Sequence, residues 1–133
     1  MRWWLVLMAA LSVALFSAGC GGSYGCAAVV SPAVEVYVFD ARTGAPAAEG
    51  ATATVRDGDY VERLQVHVTS YPDPPNTQGV PLSFAGAYER PGVYTVRVEK
   101  PGYQPWEMTG VRVRKGDCGV NGARLEARLQ PVE

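Results

Sequence analysis

From residue 33 onward the chain carries no helical periodicity. Short runs of β-branched and aromatic residues recur instead, separated at regular intervals by Gly, Pro and Asp, the pattern of an all-β sandwich or barrel. The spacing predicts seven strands, at 33–39, 51–56, 60–69, 82–88, 93–99, 106–114 and 123–129. Three of them alternate with a period of two. Tyr94, Val96 and Val98 oppose Thr95, Arg97 and Glu99; Val111 and Val113 oppose Arg112 and Arg114; Leu125, Ala127 and Leu129 oppose Arg124, Glu126 and Arg128. A sheet with one buried and one solvated face produces this alternation. Arg90-Pro91-Gly92-Val93 and Lys100-Pro101-Gly102-Tyr103 place Pro and then Gly at the centre, which predicts two type II turns. The segment 69–81, with prolines at 72, 74, 75 and 81, can neither supply a full ladder nor continue a helix. It is expected to be a loop at one end of the sandwich, and loops of this length are either functional or simply mobile.

The beginning of the chain follows another rule. Met1-Arg2 leads into an apolar stretch from Trp3 to Phe16, broken by Ser12, and then into Ser17-Ala18-Gly19. This falls short of the roughly 20 apolar residues a spanning helix needs and has the layout of a secretory signal peptide. Phe16-Ser17-Ala18-Gly19-Cys20 resembles the bacterial lipobox, with Ser17 where Leu is more usual. The resemblance implies a signal peptide over 1–19, acylation of Cys20 as a membrane anchor, and a lipidated tether and N-terminal segment over 20–32. Ordinary cleavage near Gly19, with release into the periplasm, is the alternative. Gly21 stands where an aspartate would follow the cysteine, which is similar to lipoproteins passed on to the outer membrane. The expected location is therefore the bacterial cell envelope, on the outer membrane facing the periplasm.

Three cysteines are an odd number for an exported chain,. Assigning Cys20 to lipid leaves Cys26 and Cys118 as a pair in an oxidising compartment, where a structural bridge is expected. A redox-active pair would call for a Cys-x-x-Cys spacing or an activating environment, and neither is visible.

Composition narrows the chemistry further. The net charge is -1, from 12 basic and 13 acidic residues without a charge block, so no nucleic-acid partner and no polybasic membrane segment is expected. One histidine leaves little for a metal site built on several His and Cys ligands, and no metal or cofactor is expected. His67 shares a strand face with Arg63 and Gln65 and reads as a solvated residue rather than a catalytic base. Asp57, Asp59 and Glu62 surround Gly58 without matching an EF-hand, and read as a hairpin turn rather than a calcium loop. Arg112, Arg114 and Lys115, with Arg124 and Arg128 on an expected neighbouring strand, suggest a basic stripe; mixed charge that protects a sheet face is the competing account. Tyr103 and Trp106, with Tyr71 in the proline-rich loop, are candidates for a binding surface that stacks on sugars or anchors a partner. The alternative for Tyr103 and Trp106 is that they cap the core.

The run from Val36 to Pro46, Val-Tyr-Val-Phe-Asp-Ala-Arg-Thr-Gly-Ala-Pro, is followed by Gly50-Ala51, by Gly92-Val93-Tyr94-Thr95-Val96-Arg97-Val98, and by Lys100-Pro101-Gly102-Tyr103. Together these resemble the carboxypeptidase regulatory-like domain, a prealbumin-like or transthyretin-like sandwich. The resemblance implies a seven-stranded antiparallel Greek-key β-sandwich over 33–130 that lends stability or binding surface to a partner. One transthyretin-like branch hydrolyses 5-hydroxyisourate with several histidines and a C-terminal Tyr-Arg-Gly-Ser. This chain has one histidine and ends Gln130-Pro131-Val132-Glu133, so that activity is not expected. The expected function is that of a non-enzymatic envelope lipoprotein, a binding or structural module for an envelope protein. A carbohydrate- or cell-wall-binding module using exposed aromatics is the second reading.

Overall fold

The computed structural model describes residues 25–67 and 83–133, and among them there is no helix. Nine strands form two sheets: β1 (Val34–Asp40), β2 (Thr52–Asp57), β3 (Tyr60–Arg63), β4 (Gln65–His67), β5 (Ser83–Gly86), β6 (Gly92–Glu99), β7 (Trp106–Gly116), β8 (Gly119–Asn121) and β9 (Ala123–Leu129). The smaller sheet runs β4-β5-β1-β9 and the larger β3-β2-β6-β7-β8. Their inner faces supply one core of Val34, Val36, Val38, Val55, Tyr94, Val96, Val98, Ala127 and Leu129, all fully buried. Burying each such Val or Leu contributes about 1.5–3 kcal/mol. The expected alternations hold over 94–99, 111–114 and 125–129, with Arg97, Arg112, Arg114, Arg124, Glu126 and Arg128 exposed; the first half of β7, 107–110, is exposed on both faces.

The strand count differs from seven for two local reasons. The stretch expected as one strand at 60–69 breaks at Leu64, whose buried position and N–H bond to the Ala53 carbonyl (2.9 Å) end the run. Before it, β3 pairs with β2; after it, β4 pairs with β5 in the other sheet. The chain changes sheets at Leu64, and Val66 beyond it is 52% exposed. The second reason is β8, a short return leg after the turn Asp117-Cys118 that pairs with the end of β7. The sandwich is also not antiparallel throughout. β1 and β9 pair in parallel from Val34↔Ala123 to Asp40↔Leu129, because the chain leaves the smaller sheet, crosses the larger one and returns in the original direction.

Of the two expected type II turns, one forms. Gly102 has φ +84° and Tyr103 N–H bonds to Lys100 O at 3.1 Å. At 90–93 the turn lies earlier: Ala87 and Glu89 take positive φ and Arg90 N–H bonds to Ala87 O at 3.1 Å. Gly92 instead opens β6. It is needed for close approach, since a Cβ there would meet the Asp57 carboxylate and the Arg90 guanidinium.

These registers give the sandwich two distinct ends. At one, Cys26 is bridged to Cys118 with Cα atoms 5.1 Å apart, and Arg90 joins three elements. It pairs with Asp57 (2.8 Å), lies 3.9 Å from the Tyr60 ring centre, and its carbonyl accepts the Tyr94 hydroxyl (2.6 Å). The Tyr60 hydroxyl donates to Glu62, which holds the phenol up to about 12, and the same carboxylate accepts Ala87 N–H (3.0 Å). The acidic residues around Gly58 (φ +58°) therefore serve a hairpin. At the opposite end lie the last residues of β1, β6 and β9 and the start of β7.

Candidate functional site

The end opposite the disulfide gathers chemistry from three separated stretches of sequence. Where β1 stops, the Asp40 carboxylate accepts the N–H groups of Arg42 (2.8 Å) and Thr43 (3.0 Å), and Thr43 Oγ1 accepts Ala45 N–H (3.2 Å). Gly44, at φ +73°, closes the loop by donating to Asp40 O (2.8 Å). An aspartate whose side chain mimics the next backbone turn is what Asp-x-x-Thr-Gly provides. Tyr103, leaving the Lys100–Tyr103 turn, donates its hydroxyl to the other oxygen of Asp40 at 2.7 Å. Tyr103 first, and Thr43 N–H second, hold the Asp40 carboxyl below the ordinary aspartate range; the same bond pushes the Tyr103 phenol up. Two of the sequence stretches that carry the resemblance are thus bonded to each other.

The C-terminal stretch completes this end. Gln104 N–H donates to Gln130 O (2.8 Å), Val132 N–H to Gly102 O (3.0 Å), and Lys100 Nζ to Ala47 O (3.0 Å). An open cleft of about 400 Å³ lies among Arg42, Gln130, Pro131, Val132 and Glu133. Trp106 begins β7 opposite Val98 and packs, half-buried, against the core; Met108, opposite Val96, is 40% exposed beside it. Tyr103 is half-buried and packs on the same core. Both rings therefore cap the core while keeping an accessible edge. His67 and Ser83, the described residues flanking 68–82, pair with each other, and Ser83 pairs with Tyr37 at the middle of β1. Tyr71 and Cys20 lie outside the described residues.

Other sequence candidates separate in space. Arg112 and Arg114 belong to the larger sheet and Arg124 and Arg128 to the smaller, so they form no common stripe. Arg124 pairs with Glu35 (3.1 Å) and Arg128 with Glu126 (3.1 Å). Asp57 and Glu62 are engaged by Arg90 and Tyr60, and no cluster of three or more metal-ligating side chains occurs among the described residues. His67 is half-buried, and the Ser83 hydroxyl beside it lies 3.2 Å from the His67 carbonyl and 3.4 Å from Glu35. The Ser83 hydroxyl is thus taken up by a carbonyl and a carboxylate rather than by an imidazole.

Sequence reasoning passed over two groups. Asp40 was visible only as part of a turn, and its bond to Tyr103 spans 63 residues. Glu35 is buried on the outer face of the smaller sheet, where Tyr37 donates to it at 3.0 Å. A lone acidic residue in an apolar strand, alternating with Val34 and Val36, was the available signal. Compared with known proteins, the chain matches no family model and no curated sequence.

Proposed function

We propose that this chain is a lipid-anchored, non-enzymatic module of a bacterial envelope, of the carboxypeptidase regulatory-like kind, which holds a protein partner at the end bearing Tyr103 and Trp106. The observation that carries this reading is polarity: Cys26 enters at the disulfide end, whereas Tyr103, bonded to Asp40, and Trp106, opposite Val98, lie at the other. An anchor on Cys20 reaches Cys26 through five residues, a span under about 20 Å, which leaves the opposite end free to meet a partner. Counting β3 and β4 as one interrupted strand and β8 as an added hairpin leg leaves seven strands, the number of a prealbumin-like Greek-key sandwich. The non-enzymatic reading is supported by the engagement of Ser83 and Asp57 in fixed hydrogen bonds.

Mass spectrometry of the mature N-terminus tests the anchor: an acylated Cys20 is expected, and an unmodified Cys20 or another start contradicts it. Cross-linking in intact cells followed by capture tests the surface. A partner should cross-link through residues near Trp106, and capture that is unchanged in Trp106→Ala contradicts the assignment.

A polysaccharide ligand is the second reading, favoured by the fixed Tyr103 ring beside the partly exposed Trp106, since rings held in place suit stacking on sugars. Loss of retention on cell-wall matrices in folded Trp106→Ala is then expected; unchanged retention removes it.

A further inference from the structure

The disulfide end carries apolar surface that the sandwich does not use. Residues 25–30 are all exposed, with Val29 at 67% and Val30 at 63%. This stretch is nonetheless held at both ends. Cys26 is bonded to Cys118, while Ser31 and Glu89 bind each other twice, through Ser31 N–H to the Glu89 carboxylate (2.5 Å) and Glu89 N–H to Ser31 O (3.0 Å). Tyr88, 44% exposed, precedes Glu89 and sits between two non-glycine residues of positive φ, Ala87 at 51° and Glu89 at 55°. Such backbone is disfavoured for residues with a side chain and persists where the surroundings impose it. Glu89 also packs over Gly119, where an added Cβ would lie 2.8 Å from its carboxylate. The arm, the strained turn and the β7–β8 hairpin are thus locked together, with Val29, Val30 and Tyr88 facing outward.

We propose that this patch seats on the lipid bilayer, so that the domain rests on its disulfide end in a fixed orientation. The inference rests on the reading of Cys20 as the acylated residue, because the tether ends on this patch and is too short to let it leave the membrane surface. Two valines and a tyrosine are suited to the interface between headgroups and acyl chains, where the hydroxyl stays wet and the ring and methyl groups are buried. The neighbouring Lys115 and Asp117 are exposed and opposite in charge. Seating is therefore driven by apolar contact, and it should not depend on anionic lipid or on salt.

Trp106 is the one tryptophan outside 1–19, which provides an internal control at the far end. The mature full chain is placed in vesicles of phosphatidylethanolamine and phosphatidylglycerol carrying brominated acyl chains. Trp106 emission is expected to match that in unbrominated vesicles. Emission from Val30→Trp and from Tyr88→Trp, each in a Trp106→Phe background, is expected to be at least halved, equally with and without phosphatidylglycerol. Acylated protein in which both reporters escape quenching overturns the seat and leaves the anchor intact, as does quenching of Trp106 to the same extent. An unacylated N-terminus with no association with vesicles overturns the anchor itself. Adding Val29→Asp to the Val30→Trp reporter should reduce quenching while the circular dichroism of the folded sheet is retained; undiminished quenching also overturns the seat.

Discussion

Replacing both bridged cysteines, Cys26→Ser with Cys118→Ser, removes a constraint whose size follows from the positions of its ends. The residues are 92 apart in sequence, and the chain-entropy relation for a loop of that length gives about 4.6 kcal/mol. Net stabilities of small domains are roughly 5–15 kcal/mol, so the bridge supplies a substantial fraction of the whole. For a domain near 100 residues, each kcal/mol corresponds to roughly 4 °C or more, and the variant should melt about 20 °C lower. Urea unfolding, followed by Trp106 fluorescence, measures the effect directly. The midpoint should fall and the slope should rise, because the unbridged unfolded chain exposes more surface. The reasoning requires that the native sheets be unchanged, and it places the effect in the unfolded state. A loss under about 1 kcal/mol, with native circular dichroism retained, would refute it. The bridge would then only pin an exposed arm whose first buried residue is Ala33.

Three further outcomes are expected. Gly92→Ala should lower the melting temperature by several degrees, because the new Cβ displaces the Asp57–Arg90 pair; the loss should shrink in an Asp57→Ala background, and equal losses in both would discount the clash. Asp40, with its carboxyl held low by Tyr103 and Thr43, contributes stability that is present above about pH 4 and lost as pH falls toward its lowered value,. Asp40→Asn should therefore be less stable at neutral pH and show a shallower acid limb in urea midpoints, and parallel acid limbs would contradict this. Tyr60, pushed up to about 12 by Glu62, contributes stability that is full below about pH 10 and lost as pH rises toward 12. Tyr60→Phe should flatten that alkaline decline, which thermal melts across the range will show.

How far the sequence discloses this molecule depends on the distance over which each determinant acts. The faces of β6 and β9 were legible because alternation along a half-buried strand is set by the strand itself. The Lys100–Tyr103 turn was legible because Gly102 must take positive φ locally. At 90–93 the same Pro-Gly signal misled: Gly92 answers to the Asp57 side chain, which no local rule contains. The break at Leu64 was hidden for a related reason, since the run around it keeps strand character while its partners change from one sheet to the other. The bridge was legible from cysteine parity, but the Asp40–Tyr103 bond was not. Each residue had a sufficient local role, in a loop and in a turn, and their meeting depends on the assembled sandwich.

The parallel pairing of β1 with β9 also sets a schedule for the growing chain. The first strand cannot complete its sheet until the last one has been made, so synthesis finishes almost the entire polypeptide before the smaller sheet can close. Early segments have β5 as an interim partner but lack the long ladder from Val34↔Ala123 to Asp40↔Leu129. Until then the edge of β1 that β9 will cover stays open, and a chain cut short before Ala123 leaves the longest ladder of the smaller sheet unpaired.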